Sequence, residues 1–255
     1  MEIGDLHGVH ESSVSRSVHR TIRAINNVLD IKFNPDANKV RMQDFYKIAE
    51  FPCVIGAIDG TLIPIKRPPA DEEVAYVCRK GFHAINVQAV CDANLRFINT
   101  VIRWPGSCHD SMIFSNSSLG QYLELGNVDG WLLGDSGYPC RPWILTPLLN
   151  PESKSEVKYN SAHCKTRNTI ERAFGVLKSR FRCLHKSTGC LQFSPEKCNA
   201  VIMAAFKLHN FCKDNNLPDP PMIMSETDNS TDYSVDTDLA DGVSIRRELI
   251  AKRFS

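Results

Sequence analysis

At 255 residues with 42% apolar content, the chain has enough material for one large domain, or for one domain with appendages. Its longest apolar runs are strand-sized and too short for a membrane span. The opening Met1-Glu2-Ile3-Gly4-Asp5 lacks the basic start and apolar stretch of a secretory signal. Ten cysteines are scattered without a CxxC pair, as expected of reduced thiols in an intracellular protein. Net charge is only +1 but is unevenly spread: Glu152–Lys213 carries 12 Lys/Arg against 4 Asp/Glu, and Asp214–Gly242 carries 8 acids and no Lys or Arg. A local +8 suits a polyanionic substrate, although a solvated helix face would show the same balance.

In chain order, residues 1–30 read as part of a helix-turn-helix, with the turn at Gly8-Val9-His10-Glu11. From Ser12 an amphipathic helix follows, with Val14, Val18, Ile22, Ile25 and Leu29 at helical spacing and Ser15, Arg16, His19, Arg20 and Arg23 on its other faces. The helix that should precede the turn is incomplete. Strands are predicted at Val54–Ile58, Phe82–Cys91 and Phe97–Arg103, with a hairpin turn at Asp92-Ala93-Asn94. A helix should start near Asp110 and run toward Leu123, and a short strand at Gly130–Gly134 should carry Asp135. Lys165–Leu184 reads as a helix with Ile170, Phe174, Leu177 and Phe181 on its core stripe, and Pro195 opens another. Asp214–Gly242 is expected to be disordered, before a short helix over Ile245–Phe254.

Three acids fall where a metal-dependent nuclease needs them. Asp59 ends the apolar run Val54-Ile55-Gly56-Ala57-Ile58, Asp135 follows Trp131-Leu132-Leu133-Gly134, and Glu171 lies on the basic helix. Carboxylates so placed can converge on hard cations, and two such ions clamp the attacking and leaving oxygens of a phosphodiester. Each acid alone also has a plainer reading. Asp59-Gly60 is a common turn dipeptide, Asp135-Ser136-Gly137 is turn chemistry, and a lone helical Glu is usually solvated. Asp110 suits a metal ligand or a helix N-cap equally. Glu171, Gly175 and Lys178 share one helix face, where the glycine leaves room for metal or phosphate. Cys183, Cys190, Cys198, His185, His209 and Cys212 match no zinc spacing.

The local words carry more than the element order. Ala57-Ile58-Asp59-Gly60-Thr61, Trp104-Pro105-Gly106-Ser107-Cys108-His109-Asp110, Gly134-Asp135-Ser136-Gly137-Tyr138-Pro139 and Ile170-Glu171-Arg172-Ala173-Phe174-Gly175-Val176-Leu177-Lys178 occur in one order. Together they resemble the PIF/Harbinger transposases and the host nucleases derived from them, over roughly residues 5–213. The resemblance implies an α/β fold, a ribonuclease-H-like mixed sheet flanked by helices, with a partial N-terminal helix-turn-helix. It divides the chain into 1–50 (partial helix-turn-helix and linking helix), 51–213 (DDE nuclease domain) and 214–255 (acidic tail).

It further implies a DNA endonuclease in which Asp59, Asp135 and Glu171 are catalytic and, with Asp110, hold Mg²⁺ or Mn²⁺. Lys165, Arg167, Arg172, Lys178, Arg180 and Arg182 would grip flanking phosphates. A separate Myb-like DNA-binding protein would supply sequence choice, and the nucleus is the expected location, with the cytoplasm a second. Leu62 departs from the family pattern, in which a His commonly follows the Thr of the first motif. A DNA-binding or partner-docking protein that has lost the chemistry, and a working transposase subunit, are the alternative functions.

Overall fold

The computed structural model of the chain describes residues 8, 10–126, 128–221 and 240–255. Its centre is a five-stranded mixed sheet: β1 (Val54–Pro64), β2 (Ala84–Cys91), β3 (Phe97–Pro105), β4 (Trp131–Leu133) and β5 (Ile144–Leu145). The spatial order is β3-β2-β1-β4-β5. β1, β2 and β3 form an antiparallel meander, whereas β4 joins β1 and β5 joins β4 in parallel. Every residue of β2 is buried, as befits an interior strand covered on both faces.

Eight helices are labelled here: α1 (Glu11–Val28), α2 (Asn38–Ala49), α3 (Glu73–Tyr76), α4 (Asp110–Ser115), α5 (Ser118–Glu124), α6 (Lys154–Arg180), α7 (Pro195–Asp214) and α8 (Ala240–Arg253). Side chains alternate across a strand, so β1 feeds two cores. Ala57 and Ile63 join Phe45 of α2, Ile170 and Leu177 of α6, Phe206 of α7 and Leu249 of α8. Ile58 joins Phe114, Leu119 and Leu123 of α4 and α5 on the other side. No helix among the described residues is long and apolar enough to cross a membrane.

Several expectations are corrected. β1 does not stop at Ile58; it continues six residues further because β2 pairs with it from Ala57↔Cys91 to Pro64↔Ala84. Asp59-Gly60 therefore lies within a strand and forms no turn. The helix expected from Asp110 to Leu123 is two helices, because Ser117 caps a new start by accepting from Gly120 N–H at 2.9 Å. The long basic helix begins at Lys154, eleven residues before the expected Lys165, behind a capping box in which Ser153 and Glu156 satisfy each other's backbone N–H groups. Strand β5 was not expected at all.

The N-terminal helix forms, but it lies on α7. Asn26 donates to the Ala200 carbonyl at 2.9 Å, Lys207 donates to the Asn26 carbonyl at 2.7 Å, and His19 meets Phe193 edge-on at 5.1 Å. None of its residues is fully buried. Residues 1–7, where the preceding helix was expected, lie outside the described residues, as do 222–239 of the acidic stretch. The flanks of that stretch are docked. Asp219 pairs with Arg180 and Lys213, and α8 buries Leu249 and Ile250 in the main core, with Phe254 just beyond it.

Two buried histidines fasten the main core. His163 on α6 donates from Nε2 to the Leu145 carbonyl at 3.0 Å, and His209 on α7 donates to the Leu95 carbonyl at 2.7 Å. The second bond steadies a residue held at φ 65° in the β2–β3 turn. Burial lowers both imidazoles to about 4. Since the folded value lies below the unfolded one, their contribution is complete above pH 6.5 and is lost as pH falls toward 4. Urea unfolding should therefore show His209→Gln less acid-sensitive than wild type, by up to about 3 kcal/mol between neutral pH and pH 4.

Candidate active site

Parallel register brings two of the acids side by side. The last β1–β4 pair is Ala57↔Leu133. Asp59 and Asp135 each lie two residues beyond it, level with one another, where β4 has ended and the edge of β1 is open. Asp59 and Ala57 alternate onto the α6 face, and there Arg167 meets the carboxylate. One guanidinium nitrogen donates to Asp59 Oδ2 at 2.8 Å and another to Glu171 Oε1 at 2.5 Å. The Asp59 and Arg167 side chains are each 18% exposed, whereas Glu171 is 48% exposed. Asp59 Oδ1 also accepts from Gly60 N–H at 2.8 Å, and Asp135 Oδ1 accepts from Gly137 N–H at 3.0 Å.

Asp110 approaches from the opposite side of β1, across Gly60. A methyl group built at Gly60 would overlap the Asp110 carboxylate, so this glycine makes the room that the approach requires. His109 is the N-cap and makes no side-chain cap bond. Asp110 follows it as the first residue of α4 and accepts from Asn86 Nδ2 at 2.8 Å. Gln88 donates to the Asp110 carbonyl at 2.8 Å and to the Tyr138 hydroxyl at 2.9 Å. Asn86 and Gln88 were missed from sequence, although two polar residues at i and i+2 in an apolar strand point to one face with work to do. Leu62 sits opposite Asn86 in the β1–β2 ladder and is half-buried.

The electrostatics are those of crowded carboxylates. Burial pushes Asp59 up to about 7; Asp135 and Asp110 add like charge, and Arg167 pulls the other way. Burial likewise pushes Asp110 up to about 6, with Asp135 adding to it and the Asn86 hydrogen bond opposing it. Burial opposes the charge on Arg167, but Asp59, Glu171 and Asp135 together outweigh it. Lys178 is lowered to about 8 by burial and by Lys80, and Asp59 favours its charge.

Asp59, Asp110 and Asp135 thus lie within electrostatic reach of one another, and Glu171 is connected to Asp59 through Arg167, the cation between the two. Arg180 is engaged elsewhere, donating to the Pro218 carbonyl at 3.0 Å and pairing with Asp219. Lys165, Arg172 and Arg182 are exposed. Among the described residues no three His, Cys, Asp or Glu side chains form a ready-made metal cage. The donor chemistry nonetheless fits a hard divalent ion: all the donors are carboxylate oxygens, and burial and like charge raise two of them in a way that a bound cation would offset.

Comparison with known proteins supplies the family. A family model described as DDE superfamily endonuclease matches residues 58–210. The "Putative nuclease HARBI1" of Mus musculus is 38% identical over 263 residues, covering 99% of this chain and 75% of the mouse protein. Its Homo sapiens namesake is 36% identical over 269 residues, with the same coverage. "Protein ALP1-like" of Arabidopsis thaliana is 27% identical over 244 residues, 86% of this chain and 59% of the plant protein. No solved structure matches. The chain belongs to the DDE superfamily endonucleases, among the Harbinger-derived nucleases.

Proposed function

We propose that this chain cleaves phosphodiester bonds of DNA at the cluster of Asp59, Asp110, Asp135 and Glu171. The observation that carries the reading is the parallel register that sets Asp59 level with Asp135, with Asp110 and Glu171 brought up from α4 and α6. The strand order, with an antiparallel meander followed by two parallel strands, supports a ribonuclease-H-like assignment. DDE endonucleases as a family use divalent metal, and Asp59, Asp110 and Asp135 would hold it here, joined by Glu171 once Arg167 lets go. Mg²⁺ or Mn²⁺ bound there would supply the charge that aligns a water for in-line attack and stabilises the leaving 3′ oxygen. The water oxygen forms the new bond to phosphorus, and the bond to the 3′ oxygen breaks, leaving a 3′ hydroxyl and a 5′ phosphate.

The chain's own contribution is placement. Arg167 ties Asp59 to Glu171 while no metal is bound, Asn86 and Gln88 hold Asp110 and the start of α4, and Lys178 lies within electrostatic reach of Asp59. Nicking of supercoiled plasmid in Mg²⁺ or Mn²⁺, compared with Asp135→Ala, tests the reading. A DNA-binding protein without chemistry is the second reading, favoured by Leu62; it requires binding without nicking at any metal concentration. Sequence choice by a Myb-like partner and a nuclear location belong to the same proposal.

Gly60→Ala should be almost as damaging to nicking as loss of Asp110 itself, because the methyl group pushes that carboxylate off Asn86. Thermal unfolding should show a stability loss of only about 1–3 kcal/mol, the scale of local overpacking. DNA affinity should rest on phosphate contacts from the exposed Lys165, Arg172 and Arg182. Replacing all three with Gln should weaken binding to unrelated sequences alike and flatten the log–log salt slope by about 2–3 units. Replacing Arg16 and Arg20 on α1 should do much less. The opposite pattern would make α1 the DNA-binding element.

A further inference from the structure

An open pocket of about 380 Å³ lies past the end of β1, between the strand's continuation and the turn after α6. Its floor is Pro64 and Ile65, both buried. The backbone there is fixed on two sides: Ile65 N–H donates to the His83 carbonyl at 3.0 Å, and Lys66 N–H donates to the Leu191 carbonyl at 2.8 Å. Phe82 forms an aromatic wall, and the ammonium of Lys186 stands 4.6 Å from its ring centroid. Arg67 and His83 are both held by Glu73, at 2.6 and 3.1 Å. The exposed Lys66 and Lys186 are the rim's remaining positive charges.

An apolar floor, one aromatic face and a cationic rim are what a single nucleotide requires: stacking for the base and charge for the phosphate. The volume falls in the range of about 300–1,000 Å³ typical of small-molecule sites. An acidic peptide would use the rim but has no need of the ring.

The pocket is also in line with the acids. Pro64 is five strand residues beyond Asp59, about 17 Å at ~3.4 Å per residue. That distance corresponds to about five nucleotides of one strand at duplex spacing. Lys178, within electrostatic reach of Asp59, lies on the same α6 that leads into the turn carrying Lys186.

We propose that this pocket takes one unpaired nucleotide of the DNA strand bound at the acidic cluster, its base on Phe82 and its phosphate on Lys66 and Lys186. The inference rests on the nucleic-acid reading above. Moving Lys186 from the ring to the phosphate frees the stacking face. The base must leave its helix to reach the pocket, so the preferred substrate carries an unpaired segment on one side of the cut.

The test is binding of the full chain, in EDTA, to short fluorescent single strands in which one abasic residue is moved along the sequence. Wild type should lose about ten-fold affinity when the abasic residue falls at one position, the scale of a single base–aromatic stack. Phe82→Leu should bind more weakly and be indifferent to that position. Lys186→Ala, at an exposed site, should fold normally and flatten the salt slope by about one unit. A flat abasic profile in wild type overturns the proposal, as does an unchanged profile in Phe82→Leu. A flat profile together with binding of an acidic peptide that Lys186→Ala weakens would assign the pocket to a protein partner instead. Because these measurements contain no metal, they stand apart from cleavage. Normal plasmid nicking beside a flat profile would remove the pocket and leave the nuclease reading intact.

Discussion

Replacing Asp135 with alanine is expected to cut metal-dependent plasmid nicking by about a thousand-fold or more, with the fold preserved. The size follows from what is removed. Single preorganised electrostatic groups contribute about 10²–10³ in rate, and Asp135 would also help to retain the metal. Its place after the last β1–β4 pair means that no core side chain is lost. Its one described side-chain hydrogen bond is local, to Gly137 N–H. Asp59→Asn should match the loss in nicking. It keeps the shape of the side chain but removes a charge that burial already disfavours. Quantified conversion of supercoiled to open-circular plasmid, alongside thermal melts, checks both variants. Wild-type nicking by either variant would exclude the acids as the site of chemistry.

Arg167→Met should destabilise the metal-free protein by about 3 kcal/mol at pH 8, the lower end of the cost of stranding one partner of a buried ion pair. Asp59 is the stranded partner, since the half-exposed Glu171 regains water. The penalty should be strongly pH-dependent. The folded pKa of Asp59, about 7, is above its unfolded value, so the protonated form is favoured in the fold. Its contribution to stability is fully present below pH 3.8 and is lost as pH rises through 7. Without Arg167 the folded value rises further. The two proteins should then differ most above pH 7 and converge near pH 5, where Asp59 is neutral in both. Arg167→Lys should recover only part of the loss, because an ammonium cannot fork to two carboxylates as the guanidinium does. Urea unfolding in EDTA at both pH values measures this, and an equal loss at both would mean that Arg167 matters for packing and not for charge.

The legible parts of this fold were those written locally. Apolar runs marked β1, β2, β3 and β4, and two of those runs ended in the acids that parallel pairing sets level. Pro195 announced α7. The capping box at Ser153 and Glu156 is an equally local signal and marks the true start of α6. Other features depended on distant partners. Asp59-Gly60 alone reads as a turn until β2 pairs across it, and Asp110 suits a cap as well as a ligand until His109 takes the cap position and Gly60 makes room for the Asp110 carboxylate. Arg167 looked like one more phosphate contact. Only the packing of α6 against β1 puts it between two carboxylates and turns it from a ligand for substrate into a partner for the site.

The aromatic cluster under α8 bears on how the chain is made. Phe254 packs against Phe51 at 5.6 Å and against Tyr159 at 5.6 Å, so this corner of the core joins residues 203 positions apart. At the other end, α1 waits for Ala200 and Lys207 before Asn26 has its partners. Synthesis proceeds from the N-terminus, so both closures come late, the first only after Phe254 has cleared the ribosome. Until then Phe51 and Tyr159 lack their lid, and long-range contacts of this kind slow folding. The nascent chain thus passes through a stage with apolar surface uncovered.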